Sequence, residues 1–223
     1  MKKGIALFLS LACCLMTFSQ AKKTQVALVI HMDTVFTVFA PFGTKTIHLN
    51  LSDALKNFFL ATIDTSMFEL KSEVMPEWMS PKEDLMGMPA KSDLNTWFTK
   101  LRKKNSYDLV VMVYRPLIGV AKYDFMNGFS YGMTTTDNWV FSLNDAKVWD
   151  LRDKEELAHV NLYAESEYVT RLDEKNRITK PIKEYTLRDI APAAELINNM
   201  NREFVMRLCQ NLWRAKEKFD KKK

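Results

Sequence analysis

Apolar residues recur along this chain with two periods, and the switches between periods mark out its elements. Val26, Ala27, Leu28, Val29 and Ile30 make a continuous apolar run, which predicts a strand from Gln25 to His31. Met32-Asp33 can turn the chain into a second strand over Thr34 to Phe39, before Pro41 and Gly43 break it. Thr44 to Leu49 reads as a third. Leu51, Ala54, Leu55, Phe58 and Phe59 share one face of a helix from Leu51 to Thr62, with Asn50 placed to cap it and Asp53 in its first turn. Residues 70 to 91 are the least regular, with Pro76, Pro81, Gly87 and Pro89. Leu94, Trp97, Phe98 and Leu101 then fall at helical spacing in a second helix, capped by Ser92. It closes near Lys104 with Arg102, Lys103 and Lys104, whose charge suits the negative end of the helix dipole.

Tyr107 to Tyr114 is apolar through its centre, the pattern of a strand buried on both faces. A run of strands follows at Ile118–Tyr123, Phe129–Met133, Trp139–Leu143, Ala146–Leu151 and Leu157–Ala164, with turn residues at Asn144-Asp145 and Asp153-Lys154. That spacing predicts an antiparallel meander. Residues 165 to 188 are polar and read as a connector. The last element is a long helix from about Ile190 to Lys218, with Pro192 in its first turn. Its stripe is Ile190, Ala194, Ile197, Met200, Phe204, Leu208 and Leu212, and the expected partner is a sheet face carrying Val110, Met112, Trp139 and Phe141. The fold expected over residues 22–220 is a single α+β domain, with a mixed or mainly antiparallel sheet, helices on one face and the long helix at the end.

Tyr107-Asp108-Leu109-Val110-Val111-Met112-Val113, followed by the segment from Ala146 to Ala158, resembles the strand pair of periplasmic TolB-amino-terminal-like and curli-secretion-lipoprotein-like domains. The resemblance covers about a third of the chain. It implies an envelope-associated, non-enzymatic domain and assigns no functional residues.

Composition and charge narrow the class. The first 21 residues have the three parts of a secretory signal: Lys2 and Lys3, an apolar run from Ile5 to Phe18, and the small-x-small exit Ser19-Gln20-Ala21. The run is shorter than the roughly 20 residues a membrane span needs. Cleavage after Ala21 would leave a mature chain starting at Lys22, periplasmic or secreted. Ser10-Leu11-Ala12-Cys13 offers a second route, a lipoprotein box with Ser10 where leucine is usual, which would anchor the chain through an acylated Cys13. The formal charge of the whole chain is +5. Much of the excess lies at Lys216, Lys218, Lys221, Lys222 and Lys223, which read as a solvated, frayed helix end. Nothing in the pattern has the aromatic interleaving or the module of a nucleic-acid binder. Beyond Ala21 only Cys209 remains, so no intramolecular disulfide can form, and its place beside Leu208 and Leu212 suits a small buried hydrophobe. His31, His48 and His159 are too scattered for a histidine metal cage.

Three constellations could carry chemistry. Gly128-Phe129-Ser130-Tyr131-Gly132 matches the serine nucleophile elbow, and Asp145 or Asp150 and then His159 follow in hydrolase order. The elbow needs a helix after the serine, whereas the β-branched and turn-prone Thr134 to Asn138 favour a glycine-punctuated strand. Met75, Met79, Met86 and Met88 surround Trp78 in the irregular stretch. They suit a core-covering loop, a lid over a ligand or partner, or soft Cu(I) ligands, though no Cys or His lies near to complete a copper site. Glu155-Glu156, Glu165 with Glu167, and Asp173-Glu174 read as solvated carboxylates. No phosphate loop, dinucleotide fingerprint or zinc spacing is present. These observations lead to an exported, non-enzymatic binding or accessory protein of the bacterial cell envelope, its partner an envelope protein or small ligand, without cofactor, metal, nucleic acid or transmembrane helix. The ligand would lie under a lid of Met75, Trp78, Met79, Met86 and Met88. The alternative is a small serine hydrolase built on Ser130.

Overall fold

The computed structural model describes residues 22–32, 34–79, 89–115, 129–161, 168–177 and 179–222. The leader and Cys13, the strand expected at Ile118–Tyr123, and Met86 and Met88 lie outside them. The described elements are strands β1 (Thr24–His31), β2 (Val35–Ala40), β3 (Gly43–His48), β4 (Phe68–Glu73), β5 (Leu109–Tyr114), β6 (Tyr131–Thr134), β7 (Trp139–Ser142), β8 (Asp145–Asp150), β9 (Glu155–Asn161) and β10 (Val169–Arg171). The helices are α1 (Leu51–Thr62), α2 (Lys91–Asn105) and α3 (Leu187–Lys221). This is an α+β domain with the long final helix the sequence predicts.

The strands form two mixed five-stranded sheets, in the orders β4-β1-β5-β8-β9 and β3-β2-β6-β7-β10. The orders match column by column. In chain order β1 precedes β2, β7 precedes β8, and β5 and β9 precede β6 and β10, so consecutive strands hold matching positions in the two sheets, and the two-residue link from β7 to β8 is a crease between them. Parallel β1–β5 continues as parallel β2–β6, and antiparallel β5–β8 as antiparallel β6–β7. The expected meander is therefore divided. β7 and β8 do not pair with each other, because Leu143-Asn144 carries the chain over the crease instead of reversing it within one sheet. Buried polar groups hold that crease to α3: Asn144 Nδ2 donates to Ser142 Oγ at 3.0 Å and to Asn201 Oδ1 at 2.7 Å, and Ser142 Oγ donates to Asn201 Oδ1 at 2.9 Å.

Alternation along the strands splits the interior in two. Val26, Leu28, Leu109, Val111 and Val113 enter a large core shared with the second sheet, α1 and α3. Ala27, Val29, Val110 and Met112 face the other way, into a smaller core under α2 with Trp97, Phe98 and Trp149. Helices thus cover both faces of the first sheet. Of the four residues expected beneath the final helix, only Phe141 shares its core. Val110 and Met112 have the opposite parity, and Trp139 is half-buried with the Arg171 guanidinium 5.3 Å from its ring centre.

The helix caps show which local signals act. Asp53 N–H donates to Asn50 Oδ1, as expected of α1. α2 begins after Ala90 without a side-chain cap, so Ser92 lies inside it. α3 begins at Leu187, three residues before the apolar stripe, because the Asp189 carboxylate accepts from Thr186 N–H and Oγ at 2.7 and 2.6 Å. Pro192 consequently sits in the second turn. The far end of α3 is packed, not frayed. Ala215 and Phe219 are buried, and the Arg152 guanidinium lies 3.6 Å from the Phe219 ring centre. Lys218 Nζ donates to Leu157 O, and Lys222 pairs with Asp153 and Glu155.

Candidate functional site

Met75 and Met79 are buried against the α2 core, so they serve as its cover. Trp78 is half-exposed, with Lys100 Nζ 5.0 Å from its ring centre. None of the three lines the concavities of about 410 and 780 Å³ among the described residues.

The hydrolase constellation comes apart in the fold. Ser130 is fully buried, its carbonyl accepts from Leu143 N–H at 2.7 Å, and strand β6 follows it where an elbow requires a helix. Gly132 has a packing reason: a Cβ there would stand 2.5 Å from Thr37 O and 2.6 Å from Phe141 Cζ. Asp150 is held by Arg152 Nε and Nη2, and its carboxylate raises the guanidinium's proton affinity. Asp145 and His159 do meet, Oδ1 to Nε2 at 2.6 Å across neighbouring strands β8 and β9. The bond to buried Asp145 raises the His159 pKa above its ordinary value, against the opposing effect of burial. With His159 partly open to solvent, the pair ties one strand to the next by a hydrogen bond that becomes an ion pair when the ring is protonated.

Two concavities are better formed. The smaller, about 410 Å³, lies between the end of α1, the start of β4 and α3, where Ile63, Phe68, Cys209 and Trp213 contribute. Burial pushes the Cys209 thiol up to about 11, so it is an inert wall group. The larger, about 780 Å³, lies between the β2–β3 hairpin tip and the segment before α3.

That larger site is built from simple parts. Ala40 pairs with Gly43 across the hairpin, and Gly43 takes a φ of 150°, a backbone region open to glycine. The turn leaves Phe42 at the tip with its ring fully exposed. Thr135 joins from the end of β6, its N–H donating to Phe39 O at 2.9 Å. The opposite wall is Pro181, the helical turn Ile182–Glu184 and buried Tyr185. Lys45 of β3 fixes this wall, donating through Nζ to Lys183 O at 2.7 Å and to Tyr185 O at 2.6 Å.

Its electrostatics are one-sided. The charged residues lining it are Arg177, Lys180 and Lys183, with no acid among the described lining residues. Lys180 is paired behind the wall with Asp189 at 2.7 Å, which holds that carboxyl well below its usual range. Arg177 has a looser partner in Glu174 at 3.7 Å. Lys183 has no carboxylate partner among the described residues. The arrangement can hold a molecule with an apolar portion and a polar end. Among the described residues, no group of three or more His, Cys, Asp or Glu is placed to hold a metal, and no helix is long and apolar enough to cross a membrane. The pattern of the sequence does not single out Phe42, Arg177, Lys180 or Lys183. The available signals were an aromatic inside the Pro41–Gly43 break and three cations at a spacing of three.

No known protein family's profile matches the chain, and no curated protein is recognisably similar in sequence. Among solved structures, the crystal structure of a Xanthomonas campestris protein from the DUF330 family is similar with a TM-score of 0.46 and 8% identity, over 93% of this chain and 92% of that one. A likeness of that depth carries no argument about function.

Proposed function

We propose that this chain is an exported, non-enzymatic binding or accessory protein of a bacterial cell envelope, and that its ligand occupies the cavity beside Phe42. The observation that carries the reading is the cavity of about 780 Å³. Its size and its mix of apolar wall with a few polar groups are those of small-molecule sites. Export is read from the leader-like first 21 residues, and the envelope from the resemblance of residues 107–113 and 146–158 to envelope domains. In the fold these two segments contribute β5 and the β8–β9 hairpin, and β5 lies beside β8. The hydrolase reading has no comparable support, since Ser130 is buried and followed by a strand.

Two measurements test the proposal. Expression with the native amino terminus, followed by fractionation and intact-mass analysis, should find a chain beginning at Lys22 outside the cytoplasm. An acylated fragment beginning at Cys13 would replace soluble export with anchoring, and a full-length cytoplasmic chain would remove the envelope altogether. For the site, the neutral fluorophore N-phenylnaphthylamine should bind the purified protein and be lost in Ile182→Asp. Covalent labelling by a fluorophosphonate that disappears in Ser130→Ala would put a hydrolase in place of the binding protein.

A further inference from the structure

If the cavity beside Phe42 is the binding site, its walls also select the class of ligand. We infer that it takes an amphiphile with an anionic head, a carboxylate or phosphate, and an apolar tail. The wall on the hairpin side is Ala40, Pro41 and the exposed Phe42 ring, and Ile182 faces it from the other side. Covering the exposed Phe42 ring with an apolar group would remove that area from water. A tail laid between Phe42 and Ile182 does so.

The head is chosen by charge. Arg177, Lys180 and Lys183 line the site, and the described lining residues include no acid. Asp189 neutralises Lys180, and Glu174 stands 3.7 Å from Arg177, which leaves Lys183 as the lining cation without a carboxylate partner among the described residues and Arg177 as a planar donor for two oxygens. A cationic head would meet like charge with no carboxylate among the described lining residues to receive it, and a neutral head would leave the Lys183 charge unused. The wall bearing Lys183 is pre-set by the two Lys45 bonds to its backbone, so the cations need little ordering on binding.

The test is displacement of N-phenylnaphthylamine from the full mature chain by laurate, lauryl phosphate, lauryl alcohol and lauryltrimethylammonium, each below its micelle concentration. The anions should compete best, and Lys183→Gln combined with Arg177→Gln should weaken them about tenfold while leaving the alcohol unchanged, as expected for losing surface charge contacts. Both residues are exposed, so the variants keep the fold. Sedimentation with phosphatidylglycerol and phosphatidylcholine vesicles separates the two sources of the head. Competition by free laurate without vesicle binding assigns a monomeric ligand. Retention on phosphatidylglycerol alone, lost in the double variant, assigns the same chemistry to a lipid headgroup. Equal competition by the alcohol, or anion affinity unmoved in the double variant, overturns the anionic assignment but leaves the cavity reading standing. Failure of the fluorophore itself to bind overturns both.

Discussion

Gly132→Ala is the smallest change that tests how closely the second sheet is packed. The new methyl would lie 2.5 Å from Thr37 O, 2.6 Å from Phe141 Cζ and 2.8 Å from Phe141 Cε1. Thr37 is the registered partner of Gly132 in the parallel β2–β6 ladder, so its carbonyl can retreat only by opening that ladder. Phe141 is fully buried and stacks at 6.0 Å on Phe39, which itself meets Phe129 edge-on at 5.2 Å, so the ring has little room to turn. Overpacking of this kind costs about 1–3 kcal/mol, and the backbone contact places it toward the upper end. In a domain of about 200 residues each kcal/mol moves the melting point by about 2–4 °C. The assay is urea unfolding of four proteins: wild type, Gly132→Ala, Phe141→Leu and the double variant. Shortening Phe141 removes two of the three clashes, so the alanine should cost at least about 1 kcal/mol less in that background, a coupling well above the scatter for independent sites. A Gly132→Ala protein within about 0.5 kcal/mol of wild type, or strictly additive costs, would show that packing does not demand this glycine.

Phe204, fully buried in the large core, should cost about 3–5 kcal/mol when truncated to alanine in the same unfolding assay, and a chain ending at Asp189 should not fold. A soluble, cooperatively melting truncation would show that α3 is an appendage. Deleting from Phe219 onward should also destabilise by about 2–4 kcal/mol, since it removes a buried ring, whereas a chain lacking only residue 223 should melt as wild type. His159 has its pKa raised in the fold by Asp145, so its stabilisation is complete below the ordinary value of 6.5 and fades as pH climbs through the raised one. With the side chain 36% exposed the contribution is below about 1 kcal/mol. His159→Gln should therefore lose more stability at about pH 5.5 than at about pH 8.5 in paired urea melts, and an equal loss at both would remove the linkage. Ser130→Ala removes only a buried hydroxyl and should cost about 1 kcal/mol, measured by melting.

How far the fold was legible in the sequence depends on which signals are local. α1 is written as period and cap, and the structure repeats it from Leu51 to Thr62; the α3 stripe is legible as period from Ile197 to Leu212, while near its start Ala193 is buried where the pattern predicts Ala194. β4 was not legible because Glu69, Lys71 and Glu73 make its sequence polar. It needs no apolar run, being an edge strand whose main contribution is one parallel ladder to β1. β10 is three residues long and has no period to show. The crease is hidden for a different reason. Asn144-Asp145 looks like any tight turn until it is known that β8 pairs back to β5, and that pairing is non-local. The same holds for the parity of Val110 and Val111: a continuous apolar strand announces burial on both faces but not which residue meets which helix. The larger cavity is the extreme case. Its walls are the hairpin at Ala40 and the turn at Ile182, brought together by Lys45 bonds spanning 138 and 140 residues. No window of sequence contains both halves.

The order of the first sheet also fixes when this protein can fold. Its strand β1 comes first in the chain but must wait for β5, a pairing anchored by Gln25 N–H on Asp108 Oδ2 across 83 residues. The large core then waits again for α3, whose Phe204, Leu208, Leu212 and Phe219 come last. Each of these closures sets a large loop before any contact rewards it, which makes for slow folding. A chain emerging amino terminus first, from a ribosome or through a translocation pore, therefore cannot close the smaller core under α2 before Leu151 has emerged, nor the large one until nearly its whole length has. It stays threadable by construction, and for the same interval its apolar strands stand exposed to any chaperone that would hold them.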